Sequence, residues 1–372
     1  MTPLAGGRIV TGMAAIALTL AGCGGGDGAA SNPASVPSTS SAASATSTSA
    51  ATTGAASGGC EAKRPEPGES MVTITSGGRE RSYLRYIPRG GPGDVDGDGG
   101  GAGDAAPLVL DFPAYSPAEM ETEFSGFTKA DADGSVLADE VGAVVVTPEP
   151  VNGAGALLTW NYVDTDGWTD DVRFVADMLD DVEAAACIDT DRVLATGFAV
   201  GGVFASIVTC ELPDRIAVLA TVSGLYNPQG CGADAAKAVV SFHGTGDRFI
   251  PFDGGIGSGP ANLGLSAETT AGLTFMLDRP GALDSSTAWA ERDGCEAKPV
   301  EKPAGDGAGP GVTRRVWPGC DDGLDVELFE IDGGEHTWPG SVGMAAYEGL
   351  LGPVSTEIDA TAVMWDFFEA HA

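Results

Sequence analysis

From residue 71 onward, apolar and polar positions fall into short blocks whose period switches between about 2 and about 3.6. Segments 71–76 and 82–88 flank Gly77-Gly78 and predict an opening antiparallel hairpin. Runs 108–112 and 143–147 are continuously apolar, as expected of strands buried on both faces. Between 170 and 186, Phe174, Val175, Met178, Leu179 and Val182 recur at helical spacing. A strand over 192–196, a helix over 203–210 and strands over 216–222 and 239–243 follow. The pattern then predicts a helix near 287–292, a strand over 326–331 and a closing helix over 357–370. No internal repeat is present, and the alternation predicts an α/β layer structure with a largely parallel sheet.

Ahead of these blocks the character of the chain changes. Arg8 precedes an apolar stretch at 9–21 that is too short to span a bilayer. It ends in Leu20-Ala21-Gly22-Cys23, which resembles the lipobox of bacterial lipoproteins. That resemblance implies a signal peptide over 1–22, acylation of the Cys23 thiol, and anchoring to the outer face of the cell membrane. From 24 to 59, 31 of 36 residues are Gly, Ala, Ser or Thr, so too little apolar surface is available to offset ordering entropy. A lipidated cysteine and disordered tether over 23–59, then one folded domain over 60–372, is the expected organisation.

Charge narrows the function classes. The chain carries 19 Lys+Arg against 53 Asp+Glu, a formal net charge of −34. Phosphate neutralisation needs clustered basic residues, so nucleic acid is excluded as a partner, and contact with the membrane is expected through the lipid alone. With Cys23 assigned to lipid, six cysteines remain: Cys60, Cys187, Cys210, Cys231, Cys295 and Cys320. An even number outside the cytoplasm predicts disulfides, with Cys295–Cys320 the favoured pair; none sits at metal-ligand spacing, so no metal is expected. The Gly/Asp loop at 94–106 matches half of a calcium loop through Asp94, Asp96, Asp98 and Gly99. Its twelfth position is Ala105 where a bidentate Glu is required, and it reads as a solvated insertion.

The sharpest chemical signal is Gly197-Phe198-Ala199-Val200-Gly201, at the junction of a predicted strand and a predicted helix. This is the frame of the nucleophile elbow, Gly-x-Ser-x-Gly, with alanine where the nucleophile stands. Downstream, Phe242-His243-Gly244-Thr245-Gly246-Asp247 places an acid after a strand, and Glu335-His336-Thr337-Trp338-Pro339-Gly340 places a base after another. The order 199, 247, 336 is that of α/β-hydrolases. Of the other histidines, His371 is expected to be exposed and His243 to fix a loop.

With Arg81-Ser82-Tyr83-Leu84-Arg85-Tyr86-Ile87-Pro88, Trp160-Asn161, Asp170-Asp171-Val172, Trp289-Ala290 and Gly294-Cys295, these motifs resemble one family in order over roughly 300 residues. It is the secreted esterase family of polyhydroxybutyrate depolymerases, feruloyl esterases and LpqP/LpqC-type lipoproteins. The resemblance implies an α/β-hydrolase fold and carboxylic-ester hydrolysis, with Asp247 as acid and His336 as base and no cofactor. It also implies an ester, polyester or feruloylated-glycan ligand.

Two departures bear on activity. Ala199 has no oxygen to attack an acyl carbon. Where the family carries His-Gly leading into the oxyanion hole, this chain has Pro113-Ala114, followed by Tyr115; proline has no N–H to donate. Val200 is the other expected oxyanion contributor. Ser116, Ser206 and Ser223 are the candidate substitutes for the missing hydroxyl. Trp160 and Trp338 read either as walls of a ligand subsite or as core aromatics. The expectation is therefore a monomeric, catalytically impaired esterase homologue. An active hydrolase using another nucleophile and a structural envelope protein are the alternatives.

Overall fold

The computed structural model describes residues 55–90, 105–115, 117–131, 134–154, 157–161, 167, 169–255, 257–259, 279–305 and 307–372. The signal segment, Cys23, the tether as far as 54, most of the Gly/Asp loop and Ser116 lie outside them. Ten strands form one sheet: β1 (Gly68–Ser76), β2 (Arg79–Ile87), β3 (Ala106–Phe112), β4 (Val144–Pro148), β7 (Ile188–Phe198), β8 (Val218–Val222), β9 (Ala238–Gly244), β12 (Val300–Lys302), β13 (Val312–Trp317) and β14 (Val326–Ile331). Two small hairpins stand apart, β5 (Asn152–Ala154) with β6 (Leu157–Thr159) and β10 (Gly254–Gly255) with β11 (Arg279–Pro280).

Spatial order is β1-β2-β4-β3-β7-β8-β9-β14-β13-β12. The six strands from β4 to β14 run parallel, and an antiparallel pair closes each edge. Every residue of β4, β8 and β9 is buried, which explains why these strands read as unbroken apolar runs. Helices α1 (Ala118–Ser125), α2 (Leu137–Val141), α3 (Asp171–Ala185), α4 (Val200–Glu211), α5 (Ala282–Arg292), α6 (Glu348–Leu351) and α7 (Ala360–His371) surround the sheet. In α3 the predicted stripe Phe174, Val175, Met178, Leu179 and Val182 is buried, and the Asp170 carboxylate caps the first turn by accepting the Arg173 N–H at 2.9 Å.

Several boundaries shift. β7 begins at Ile188, ahead of the apolar run, because its start pairs with residues just before Cys60: Ala56 bridges Asp189, and the Ser57 N–H donates to the Ile188 carbonyl at 2.9 Å. Gly59 is buried so closely that a Cβ there would lie 2.2 Å from the Ala186 carbonyl oxygen. Residues 55–59 therefore belong to the fold and not to the tether. Six cysteines pair as Cys60–Cys187, Cys210–Cys231 and Cys295–Cys320, which includes the favoured pair. His371 is not free at the surface as expected: it is partly buried, with Nε2 2.9 Å from Asp325 Oδ2 and Nδ1 2.7 Å from the Phe367 carbonyl.

Candidate active site

The site forms where β7, β9 and β14 end, at the carboxyl edge of the parallel strands. β7 runs into Ala199, whose φ of 52° and ψ of −120° are left-handed and rare for a residue with a Cβ, and α4 starts at Val200. Such a conformation costs on the order of 1–3 kcal/mol unless its surroundings impose it. Here they do. A Cβ at Gly201 would fall 2.0 Å from the Phe112 carbonyl oxygen, and one at Gly197 2.6 Å from the same atom. The end of β3 thus presses on the turn, and only glycines allow it. The Ala199 N–H donates to the Val222 carbonyl at 2.9 Å, which ties the elbow to β8.

Asp247 and His336 are brought together by loops that zip against each other. The Thr245 N–H donates to the Ile331 carbonyl at 2.9 Å, the Gly246 N–H to the Gly334 carbonyl at 2.8 Å, and the Gly333 N–H to Thr245 Oγ1 at 2.8 Å. The result is a 2.7 Å contact between His336 Nδ1 and Asp247 Oδ2. The other carboxylate oxygen accepts the Phe249 and Ile250 N–H groups at 2.8 and 2.9 Å. Burial opposes charge on Asp247, but the facing His336, with His243 and the Ile250 amide, outweighs it and holds the carboxyl below its ordinary value. The imidazole of His336 packs against two aromatic rings, with centroids 4.7 Å from Phe198 and 4.9 Å from Phe249. Phe198 directly precedes Ala199, so the ring borders the elbow. With Nδ1 committed to Asp247, Nε2 is the nitrogen left to act on a ligand.

His243 has the loop-fixing place read from the sequence. Its Nε2 lies 2.8 Å from the Ile250 carbonyl and 3.6 Å from Asp247 Oδ2, and burial holds its pKa below the usual histidine value, with Asp247 opposing.

On the opposite side, Pro113, Ala114 and Tyr115 follow β3. The Pro113 carbonyl is occupied by the Trp160 indole N–H at 2.7 Å, and burial pushes the Tyr115 hydroxyl up to about 12. Val200 opens α4, so its N–H is among those with no intrahelical acceptor and remains a candidate oxyanion donor.

The two tryptophans are core residues, not subsite walls. Trp160 is fully buried, stacked on Phe204 at 4.4 Å, and Trp338 is fully buried with its indole N–H donating to Thr361 Oγ1 at 2.9 Å. Of the candidate substitute hydroxyls, Ser206 turns back on its own helix, its Oγ donating to the Gly202 carbonyl at 2.9 Å. Ser223 behaves differently. It follows β8 as Ala199 follows β7, has a φ of 51°, and its buried hydroxyl finds no hydrogen-bond partner among the described residues.

Two features were not legible in the sequence. Phe249 lies outside any periodic segment, and only its place beside Asp247 hints at a role. Glu121 looks like one of several surface acids on α1, yet it is buried and accepts the Phe198 N–H at 3.1 Å.

No family model matches the chain. It is 30% identical over 279 residues to the putative esterase NocK of Nocardia uniformis subsp. tsuyamanensis, covering 72% of this chain and 73% of that protein. Feruloyl esterase B of Piromyces equi is 27% identical over 265 residues, 69% of this chain, but the chain spans only 42% of that protein. Feruloyl esterase C of Emericella nidulans is 28% identical over 229 residues, 61% of this chain and 65% of the relative. Taken with the strand order and the strand–elbow–helix turn, these relationships place the chain in the esterase and feruloyl esterase family of α/β-hydrolases.

Proposed function

We propose that this is an exported lipoprotein whose α/β-hydrolase domain has lost serine catalysis and keeps a cleft for an ester, polyester or feruloylated-glycan ligand. One observation carries the reading: Ala199 occupies the strained elbow and offers no oxygen, while the preceding Phe198 ring lies 4.7 Å from His336 of the hydrogen-bonded Asp247–His336 pair. The pair can accept a proton and hold the resulting imidazolium, but with no hydroxyl at the elbow no acyl-enzyme forms there. Loss of the serine from a triad lowers kcat by on the order of 10⁶. Pro113, which lacks an N–H, weakens the oxyanion side as well. The ligand class rests on the printed activities of the feruloyl esterase relatives. Export rests on the lipobox-like segment and on three disulfides, which persist in oxidising compartments. Among the described residues no helix is long and apolar enough to cross a membrane. The proposed anchor is Cys23, on the strength of the lipobox-like segment alone.

The test is treatment of the full chain with a fluorophosphonate probe and with short p-nitrophenyl esters, alongside binding to feruloylated polysaccharide and to polyhydroxybutyrate. No labelling, no turnover and retained binding are expected. Ala199→Ser alone should recover little hydrolysis, and the triple change with Pro113→His and Ala114→Gly should recover more. Labelling of the wild-type chain would sink the reading. Absence of all ligand binding would instead favour a structural envelope role.

Ser223 supports a second reading, in which the chain is an active hydrolase. A buried hydroxyl without a partner costs about 1–3 kcal/mol, and a left-handed serine adds strain of similar size. If Ser223 is the nucleophile, wild-type turnover is measurable and vanishes in Ser223→Ala.

A further inference from the structure

Two carboxyl groups that the hydrolase chemistry does not use meet behind the elbow. Asp111 is the last residue but one of β3, immediately before the Pro113-Ala114 loop, and Glu121 lies on α1. Their side chains are buried, the residues 0% and 1% exposed. Ser125 Oγ donates to Asp111 Oδ2 at 2.6 Å. Glu121 accepts the Phe198 N–H through Oε1 and is also hydrogen-bonded by the backbone of Ala114. The two carboxyls face each other within hydrogen-bonding reach, and Asp111 Oδ1 has no other donor among the described residues. Carboxylates accept and do not donate, so a contact between two of them requires a proton.

Nearby charges offer no alternative partner. On α1, Glu119 shows no ion pair among the described residues, and Glu123 pairs with Lys129 at 3.3 Å. On the adjoining strands, Glu149 accepts the Ala118 N–H at the end of β4, Arg81 of β2 is paired with Asp171, and Arg192 of β7 with Glu369. Of the groups on adjoining loops, Tyr115 follows β3, Tyr347 packs edge-on against Phe124 of α1, and His336 is held by Asp247. None of these supplies a cation to Asp111 or Glu121. Two bare anions buried together without a cation would cost several kcal/mol each.

We infer that Asp111 and Glu121 share a proton, and that this acid pair clamps the elbow to the oxyanion loop as a positioning device. Glu121 holds the amides on both sides of the site at once, at Ala114 and at Phe198, and Asp111 holds Glu121. Burial pushes Asp111 up to about 7, and burial with the neighbouring Asp111 pushes Glu121 well above the ordinary carboxylate range. The folded state therefore binds more protons than the unfolded chain between about 4 and about 7, so the pair's contribution to stability declines as pH rises through that window. The amide bonds themselves favour charged Glu121, but full deprotonation sets two anions side by side, and their repulsion works against the clamp on the alkaline side of neutral.

The experiment uses the full chain and does not depend on hydrolysis or on any ligand. Infrared spectra should show a protonated-carboxyl carbonyl band at about neutral pH that is stronger in the wild type than in Glu121→Gln and Asp111→Asn, Asp293 contributing equally to all three. Glutamine mimics the shared proton by donating to Asp111 while still accepting an amide. The thermal midpoint of Glu121→Gln should therefore gain on the wild type steadily as pH rises from about 4 to about 7. Asp293, which burial also pushes up to about 7, titrates in both chains and cancels in the difference. Exchange of the Ala114 and Phe198 amides should quicken about tenfold in Glu121→Ala and be restored in Glu121→Gln. Parallel midpoints across the pH range, or a band of equal strength in the wild type and the variants at neutral pH, overturn the inference. If Asp111→Asn does not fold, Glu121→Gln carries the same test.

Discussion

Ala199 keeps a conformation whose usual purpose is to present a nucleophile, though it has none to present. The surroundings of the elbow explain this without reference to catalysis: the Phe112 carbonyl, α4 and the Val222 carbonyl leave the chain no other course. Glycine adopts a φ of 52° without a Cβ penalty, so Ala199→Gly should relieve strain of about 1–3 kcal/mol and lose about 0.4–1 kcal/mol to unfolded-chain entropy. A net gain in stability from chemical denaturation is expected, and a net loss would mean that the elbow is not strained. Asp247 makes a separate prediction. Its folded pKa is depressed, so its contribution is present above about 3.9 and is lost as pH falls through the lower folded value. Asp247→Asn should cost about 3 kcal/mol near neutral pH and flatten the acid limb of the stability curve below about pH 4. An unchanged acid limb would show that the His336 contact is not charge-assisted.

At the scale of elements, the N-terminal strap is held by hydrogen bonds to the start of β7 and by Cys60–Cys187, which links positions 127 residues apart. Removing a native disulfide that closes so long a loop typically costs about 2–5 kcal/mol. The pair of changes Cys60→Ser and Cys187→Ser should lower stability by that much and expose residues 55–61 to proteolysis. Equal stability with and without the bridge would make the backbone pairing sufficient. The strap also marks what the sequence could and could not reveal. Its Gly/Ala/Ser/Thr composition matches the preceding residues, and only the contact with Ala186 shows that Gly59 is inside. The buried parallel strands and α3 were legible because burial on both faces or on one stripe leaves an apolar period. α1 was not, because its buried residues are Ala118, Glu121, Thr122, Phe124 and Ser125, of which Phe124 alone is large and apolar. β12 and β13 were not, because the charges of Arg314 and Arg315 are met across strands by Glu327, Glu330 and Glu301. The positions 199, 247 and 336 were legible because each follows a recognisable strand. The burial of Trp160 and Trp338 depends on distant partners that no local pattern names.

Across the whole molecule, the two ends of the parallel strands carry different tasks. The chain enters at the start of β7 through Cys187, and the candidate site gathers at the far ends of β7, β9 and β14. Around both lies a strongly acidic surface: Asp27 is the only acid and Arg8 the only base before residue 60, so the net −34 belongs to the hydrolase domain itself. Exposed ion pairs contribute about 0–1 kcal/mol apiece, and there are too few basic residues to neutralise 53 acids. Self-repulsion among unpaired carboxylates should therefore dominate the long-range electrostatics of the folded state. Raising the salt concentration shortens the Debye length from about 30 Å at 0.01 M to about 8 Å at 0.15 M. Screening should then raise the thermal midpoint of the domain, and more at pH about 8 than at pH about 5, where part of the surface charge is already lost. A midpoint that falls with added salt would mean that attractive pairs such as Arg314–Glu327 outweigh the repulsion, and that the acidity is neutralised locally despite its excess.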